Sequence, residues 1–342
     1  MRKKLHKALL FVLLFAAGMH GLKAQGYWIG FYNLENLFDT IQHKEVNNNQ
    51  YTPNGSYNWT SRRFHHKIDQ LNRVIDSIGH AAKPNIWGVL GVCEVENTTV
   101  LKALCDQFSA EDSCHFVHFE SPDLRGIDVG LLYNANAFKP THFERVAVRL
   151  FLSHDMPKYT RDLLVVSGWL GSAKVHFIVA HWPSRSGGQK RSEHFRMTAS
   201  YYSKRIADSI QQNDPNAQIV LMGDLNDDPN DRSVKRFVTS KNTEVGFYNP
   251  METLHRKGVG SIAHRDRWHL FDQLIFTNNF LKEGPLRLQG AGVYRKKFLT
   301  QLDGKFKNYP LRTYVGQHYV GGYSDHFPVI AILTPTAPKG YE

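Results

Sequence analysis

The residues with most capacity for chemistry lie in IVLMGDLNDDP, residues 219–229, where Asp224 and Asn226 follow a run of apolar side chains. Such a run reads as a strand buried on both faces, and in open α/β sheets ligands gather at the C-terminal ends of strands. Two residues apart on an extended chain, a carboxylate and an amide project to the same side. That pair can hold a water between a metal ion and a phosphate. Gly223, Asp224, Asn226 and Pro229 are also turn formers, so taken alone the stretch reads equally well as a turn.

Other strand ends repeat the pattern. Asn33 and Glu35 close YWIGFYNLENLFD, Glu94 closes NIWGVLGVCEVEN, and His181 ends KVHFIVAH. Asp272 stands near the start of WHLFDQLIFTN, and Asp325 and His326 lead into the last strand in YSDHFPVIAILT. One such residue is a cap; two histidines and several carboxylates at successive strand ends are hard to explain as separate caps. A carboxylate after an apolar run needs a partner, which a hard divalent cation such as Mg²⁺ supplies. Oxygen ligands with histidines nearby point to hydrolysis at phosphate. Arg125 in the turn LRG and Arg185 in the loop SRSGG could fork onto phosphate oxygens, although a surface arginine beside glycine is the plainer reading. No G-x-S-x-G elbow, P-loop or dinucleotide fingerprint occurs.

The elements that must position these groups alternate strand and helix. Phe64, Ile68, Leu71, Ile75 and Ile78 fall at helical spacing after Ser61, a candidate N-cap, with basic residues read as the solvated face. A short helix is expected over 98–108 and a long amphipathic one over 189–213. Strands are expected over 145–151 and 162–170, with Gly171 and Ser172 at a hairpin turn; 231–265 is polar and irregular. Strand–helix–strand order with hairpins between predicts two sheets packed face to face and flanked by helices.

Composition supports a folded core: 42% hydrophobic and 21% charged residues leave little room for disorder. Arg2, Lys3, Lys4 and Lys7 precede the apolar run 8–17, and Ala24 closes a cleavage site. The run is too short for a membrane span and has the flanks of a secretory signal. The expectation is a leader over 1–24 and one catalytic domain over 25–342, periplasmic or secreted. Without the leader 37 Lys and Arg face 31 Asp and Glu, about +6, which is compatible with an anionic substrate. Cys105 and Cys114 could pair in an oxidising compartment, leaving Cys93 on an apolar strand; three unpaired thiols fit equally well.

FYNLENLF, the Glu94 strand, LRGIDVGLLY, VAHWPSR, GDLND and YSDHFPV, in this order, resemble the endonuclease/exonuclease/phosphatase superfamily with its deoxyribonuclease-I-like fold. The likeness spans residues 27–333. It implies an α/β four-layer sandwich, two central mixed β-sheets flanked by helices, with the site at one edge. By motif position it implies Glu94 as the main metal ligand, Asn33 beside it, and Glu35 and Asp325 near a metal. It implies Asp224 and Asn226 as the groups that position water and phosphate. It implies His326 as general acid or electrostatic stabiliser, Asp272 orienting its ring, and His181 as the second histidine. The implied ion is Mg²⁺ or Mn²⁺, with Ca²⁺ as a further candidate. Where deoxyribonuclease I has an arginine two residues after the metal glutamate this chain has Glu96, for which Arg125 could compensate.

In motif style the FYNLENLF and RGIDV blocks resemble secreted bacterial nucleases. The resemblance therefore implies an exported divalent-metal-dependent phosphodiesterase that hydrolyses nucleic acid as an endonuclease, DNA favoured over RNA. It would act as a monomer without stable membrane association. The alternatives are a phosphomonoesterase or a sphingomyelinase-like lipid phosphodiesterase of the same superfamily. A non-catalytic binding protein is the remaining one, disfavoured because every polar residue of the pattern is present.

Overall fold

The computed structural model describes residues 25–239, 246–282 and 284–336; the expected leader lies outside them. Among the described residues no helix is long and apolar enough to cross a membrane.

In chain order the first half supplies Tyr27–Leu37 (β1), Ile86–Val95 (β2), Cys114–His118 (β3), Asp128–Asn134 (β4) and Phe138–Val146 (β5). Leu150–Ser153 (β6), Met156–Lys158 (β7), Leu163–Leu170 (β8), Ala173–His181 (β9) and Gln218–Asp224 (β10) follow. Phe247–Tyr248 (β11), Ile262–His264 (β12), Arg267–His269 (β13) and Asp272–Thr277 (β14) come next. Leu286–Val293 (β15), Tyr314–Val315 (β16), His318–Tyr319 (β17) and Val329–Pro335 (β18) complete the strands. The α-helices are Ser61–Ala82 (α1), Thr98–Cys105 (α2), Gln189–Asn213 (α3), Arg232–Val238 (α4) and Met251–Arg256 (α5).

Two six-stranded sheets form, ordered β15-β18-β1-β2-β4-β3 and β11-β14-β10-β9-β8-β5. Each is mixed: β1 runs parallel to β2 and β9 to β10, and the other pairs within the sheets are antiparallel. The parallel pairs need crossovers, which α1 and α3 provide. Because side chains alternate along a strand, Ile29, Phe31, Val89, Phe177, Val179, Val220 and Met222 fill the space between the sheets. Trp28, Tyr32, Leu90 and Val92 face outward onto α1 and α2 residues such as Leu71, Ile75 and Leu101. Ile178, Ala180, Ile219 and Leu221 pack outward with Ala199, Ala207, Val234 and Phe237 of α3 and α4. The result is the four-layer α/β sandwich of the deoxyribonuclease-I-like fold.

Several sequence expectations shift. The strand expected over 145–151 is replaced by the end of β5 and the start of a β6–β7 hairpin; β5 is an edge strand with mostly exposed side chains, so it carries no apolar run to read. Gly223 is not a turn but a strand residue: a Cβ there would lie 2.2 Å from Ala180 O, so glycine permits the close approach of β9. Helices α4 and α5 lie in the stretch read as irregular. Cys105 and Cys114 are bonded, with Cα atoms 5.2 Å apart, and Cys93 is free and buried.

Candidate active site

Four parallel-strand ends meet at one edge of the sandwich. β1 and β2 bring Asn33 and Glu94 from one sheet, and β9 and β10 bring His181 and Asp224 from the other. Asp224 pairs in register with His181 on one side and Asp272 on the other, so the three stand in a row. Asn33 Nδ2 donates to Asp224 Oδ2 at 3.1 Å, joining the two sheets. The backbone departs from regular strand where these groups are presented: Glu35, Asn36, Glu94 and Asn226 have φ of 52°, 53°, 59° and 50°. Non-glycine residues hold this left-handed region only when the surroundings enforce it. The β1–β2 and β2–β4 registers slip at the same places.

His326 stands on the loop before β18. Ser324 fixes that loop, its Oγ donating to Asn33 O at 2.7 Å and accepting from His326 N at 3.1 Å. Asp272 Oδ2 lies 2.6 Å from His326 Nδ1. Burial alone would lower the His326 pKa, but the Asp272 carboxylate, with Asp224 and Asp325 behind it, outweighs that and holds it well above the imidazole range. His181 has the opposite bias: burial, then the charges of Arg161, Arg125 and His326, press its pKa well down. The two rings are thus biased in opposite directions, His326 toward the imidazolium and His181 toward the neutral form.

Asp224 Oδ2 is 3.7 Å from His181 Nε2 and 3.8 Å from His326 Nε2. These distances exceed hydrogen-bond length, so the three groups surround a common point rather than bond to one another. Burial pushes the Asp224 carboxyl up to about 7; His326 pulls it down, and Asp272 and Glu94 push it up. A carboxylate so tuned is matched to taking a proton near neutrality. Asn226 holds the turn below it, its N–H donating to Asp224 Oδ1 at 2.9 Å and its Nδ2 to Trp182 O at 3.0 Å. The amide is thereby committed to backbone.

Glu94 fits a hard cation. Its side chain is 14% exposed, Oε2 accepts the Asn36 N–H at 3.0 Å, and Oε1 lies 4.0 Å from His181 Nε2. Among the described residues no Lys or Arg pairs with it. A half-hidden carboxylate of this kind suits Mg²⁺ or Mn²⁺, with Ca²⁺ also compatible with oxygen donors. Glu35 and Asp325, the other carboxylates expected near metal, are held differently. Arg312 Nε lies 3.3 Å from Glu35 Oε1, and Arg312 Nη2 2.5 Å from Asp325 Oδ2. Glu35 Oε2 further accepts the Thr313 N–H at 2.7 Å and sits 3.7 Å from Lys67 Nζ.

The two arginines expected to grip substrate also part ways. Arg125 is half exposed, near enough to depress His181. Arg185 is drawn into Asp227, Asp228 and Asp231 at 3.1, 3.4 and 2.6 Å and donates to Asn226 O. Its fork braces the Asp224 loop rather than facing the centre. Glu96 is buried, accepting from Asp39 N and Asn48 Nδ2, and anchors the loop after β1.

Lys67, Arg312, Ser324 and Arg161 were missed. Lys67 left a signal: it stands between Phe64 and Ile68 on the apolar stripe of α1, where a lysine is out of place, and it is 1% exposed.

This fold and edge site define a phosphoesterase. The chain belongs to the endonuclease/exonuclease/phosphatase family, whose model matches residues 28–334. No curated protein matches it. Among solved structures, D. rerio TDP2 humanized by 14 mutations is 15% identical with a TM-score of 0.54, covering 90% of this chain and 99% of that one. The human Nocturnin catalytic domain is 14% identical, TM-score 0.53, covering 92% and 97%. A mannosyl-6-phosphatase of Bacteroides thetaiotaomicron is 14% identical, TM-score 0.54, covering 90% and 99%.

Proposed function

We propose that the protein is a divalent-metal-dependent phosphodiesterase that cleaves nucleic acid internally, DNA before RNA, after export by the leader 1–24. The observation that carries this reading is the cationic groove beside the centre, with a second, mixed-charge groove on the other side. On the His181 side a cavity of about 640 Å³ is lined by Arg125, Lys158, Arg161 and Arg191. On the His326 side one of about 470 Å³ is lined by Arg265, Lys305 and Arg312 against Asp266 and Asp325, with Phe306 and Tyr309. An extended polyanion carries charge along its length for such a groove; a compact phosphomonoester does not. Cations interleaved with aromatic faces suit a polynucleotide. Structures of this fold include D. rerio TDP2 with a single-strand DNA product and also a mannosyl-6-phosphatase, so the groove rather than the fold carries the choice.

In this reading the cationic His326 donates from Nε2 to a phosphoryl oxygen, and Asp272 keeps the ring charged and oriented. Asp224 orients the attacking water and accepts its proton, steadied by Asn33. His181, neutral, assists the leaving oxygen. Asn226 shapes the loop that presents Asp224. A divalent cation bound at Glu94 would neutralise phosphate charge.

The test is turnover of plasmid DNA, RNA, mannose 6-phosphate, inositol phosphates and sphingomyelin, each with Mg²⁺ or EDTA, with Asp224→Asn as control. Metal-dependent nicking of plasmid that falls about a hundredfold in the control is expected. Intact nucleic acid beside a hydrolysed monoester or lipid would leave the phosphoesterase and end the nuclease.

A further inference from the structure

The cavity on the His181 side carries more than charge. Arg161, 7% exposed, crosses its floor: Nη1 donates to Asp123 Oδ2 at 3.0 Å and Nη2 to Trp182 O at 2.8 Å. Its Nε has no hydrogen-bond partner, nor has Oγ1 of Thr160, the next residue along, which is 2% exposed. Buried polar atoms are nearly always bonded, so two orphans in one wall ask for an explanation. Around them stand Arg125, Lys158 and Arg191, and the one carboxylate in the lining, Asp123, is already taken up by Arg161 and by the Arg125 N–H. Ser184, Ser186 and Gly187 of the loop after His181 close the other side, with Gly187 and Gly188 at φ of 76° and 109°. Three side-chain cations over this floor, beside the proposed phosphoryl-transfer centre, suit an anion. Leu124 and Tyr159, 62% and 52% exposed at its rim, add flat apolar surface of the kind bases lie against.

We propose that this cavity is a second phosphate subsite, which takes the phosphate adjacent to the scissile one in a polynucleotide strand. The proposal rests on the nuclease reading and sharpens it. The bond from Arg161 to Trp182 O ties the subsite floor to the residue after His181, so a strand seated there is registered against the centre.

The experiment compares wild type with Lys158→Ala/Arg191→Ala and, separately, Thr160→Val, on two substrates with Mg²⁺. One is a short oligodeoxynucleotide, the other bis(p-nitrophenyl) phosphate, which has a single phosphate. For the charge variant KM for the oligonucleotide should rise about tenfold, with kcat little changed, while kcat/KM for the small diester moves less than twofold. The salt slope of oligonucleotide binding should flatten by about one unit. Thr160→Val should repeat the KM effect in smaller measure. Replacing the two charges by Lys158→Arg/Arg191→Lys should restore wild-type KM.

An unchanged oligonucleotide KM and salt slope in an enzyme that still cuts DNA overturns the subsite and leaves the nuclease standing. Equal losses on both substrates overturn it as well, since the residues would then serve the centre. A wild type that turns over the small diester but no oligonucleotide removes the nuclease reading, and the subsite with it. Binding of anionic phospholipid vesicles that depends on Lys158 and Arg191, with oligonucleotide KM unmoved, would give the cavity to a lipid surface and overturn the proposal too.

Discussion

Asp224 and His326 set opposite limits on pH. In the proposed mechanism the working form has Asp224 ionised and His326 protonated, and both pKa values are raised, to about 7 for the carboxyl and well above the ordinary value for the imidazole. Activity should therefore climb as pH rises through the Asp224 range and fall only where His326 releases its proton. Asp272→Asn removes the charge that favours imidazolium, so its basic limb should move to lower pH by about one to three units. A pH–kcat profile with an unmoved basic limb would show that Asp272 does not set the His326 charge. At Glu94 the relevant quantity is ion affinity. Glu94→Gln keeps shape and loses the charge, so calorimetric titration should find Mg²⁺ binding weakened by about tenfold or more with the fold intact. Unchanged affinity would take the ion elsewhere.

The β–α–β units were the legible elements, because α3 and the central strands carry their own periodicity. The long helix expected over 189–213 is α3 to the residue, and Glu94, His181, Asp224, Asp272 and His326 come together across the two sheets. What the sequence concealed depends on partners far along the chain. Glu35 reads as a metal-side carboxylate until Arg312, 277 residues away, is seen against it. Lys67 reads as surface until the loop carrying His326 folds over it: Nζ donates to Thr313 Oγ1 at 2.7 Å and to Tyr323 O at 2.6 Å. Burial lowers its pKa, and Glu35 opposes the fall. Lys67→Met leaves Thr313, Tyr323 and part of Glu35 without their donor in a closed site. Urea unfolding should register a loss of roughly 3–5 kcal/mol, the range for breaking one side of a buried pair. A loss below about 1 kcal/mol, the range of exposed pairs, would mean the lysine is wetted rather than sealed.

At the scale of the molecule the two sheets repeat one another. Taken as β15-β18-β1-β2-β4-β3 and β5-β8-β9-β10-β14-β11, the orders match strand for strand, with a helix crossover in the same place in each. The sequence shows no repeat because equivalent ends have diverged in chemistry: Asn33 corresponds to His181, Glu94 to Asp224. The candidate site exists only where the two sheets face each other, so the proposed mechanism makes sheet separation a catalytic variable. Gly91 and Met222 set that separation one turn of the pleat below the centre: a Cβ on Gly91 would meet Met222 Sδ at 2.5 Å and Phe31 Cδ2 at 3.1 Å. A flexible thioether can swing aside for one methyl, so Gly91→Ala should be tolerated. Gly91→Val adds bulk that the interior cannot absorb and should cost about 1–3 kcal/mol. It should also lengthen the Asn33–Asp224 contact, and a misplacement on that scale lowers kcat by about ten- to a hundredfold. Adding Met222→Ala opens the space that valine needs, so the double variant should regain much of both Tm and kcat. If Gly91→Val lowers Tm alone and leaves kcat at wild-type level, the inter-sheet gap is a packing feature without influence on the reacting groups.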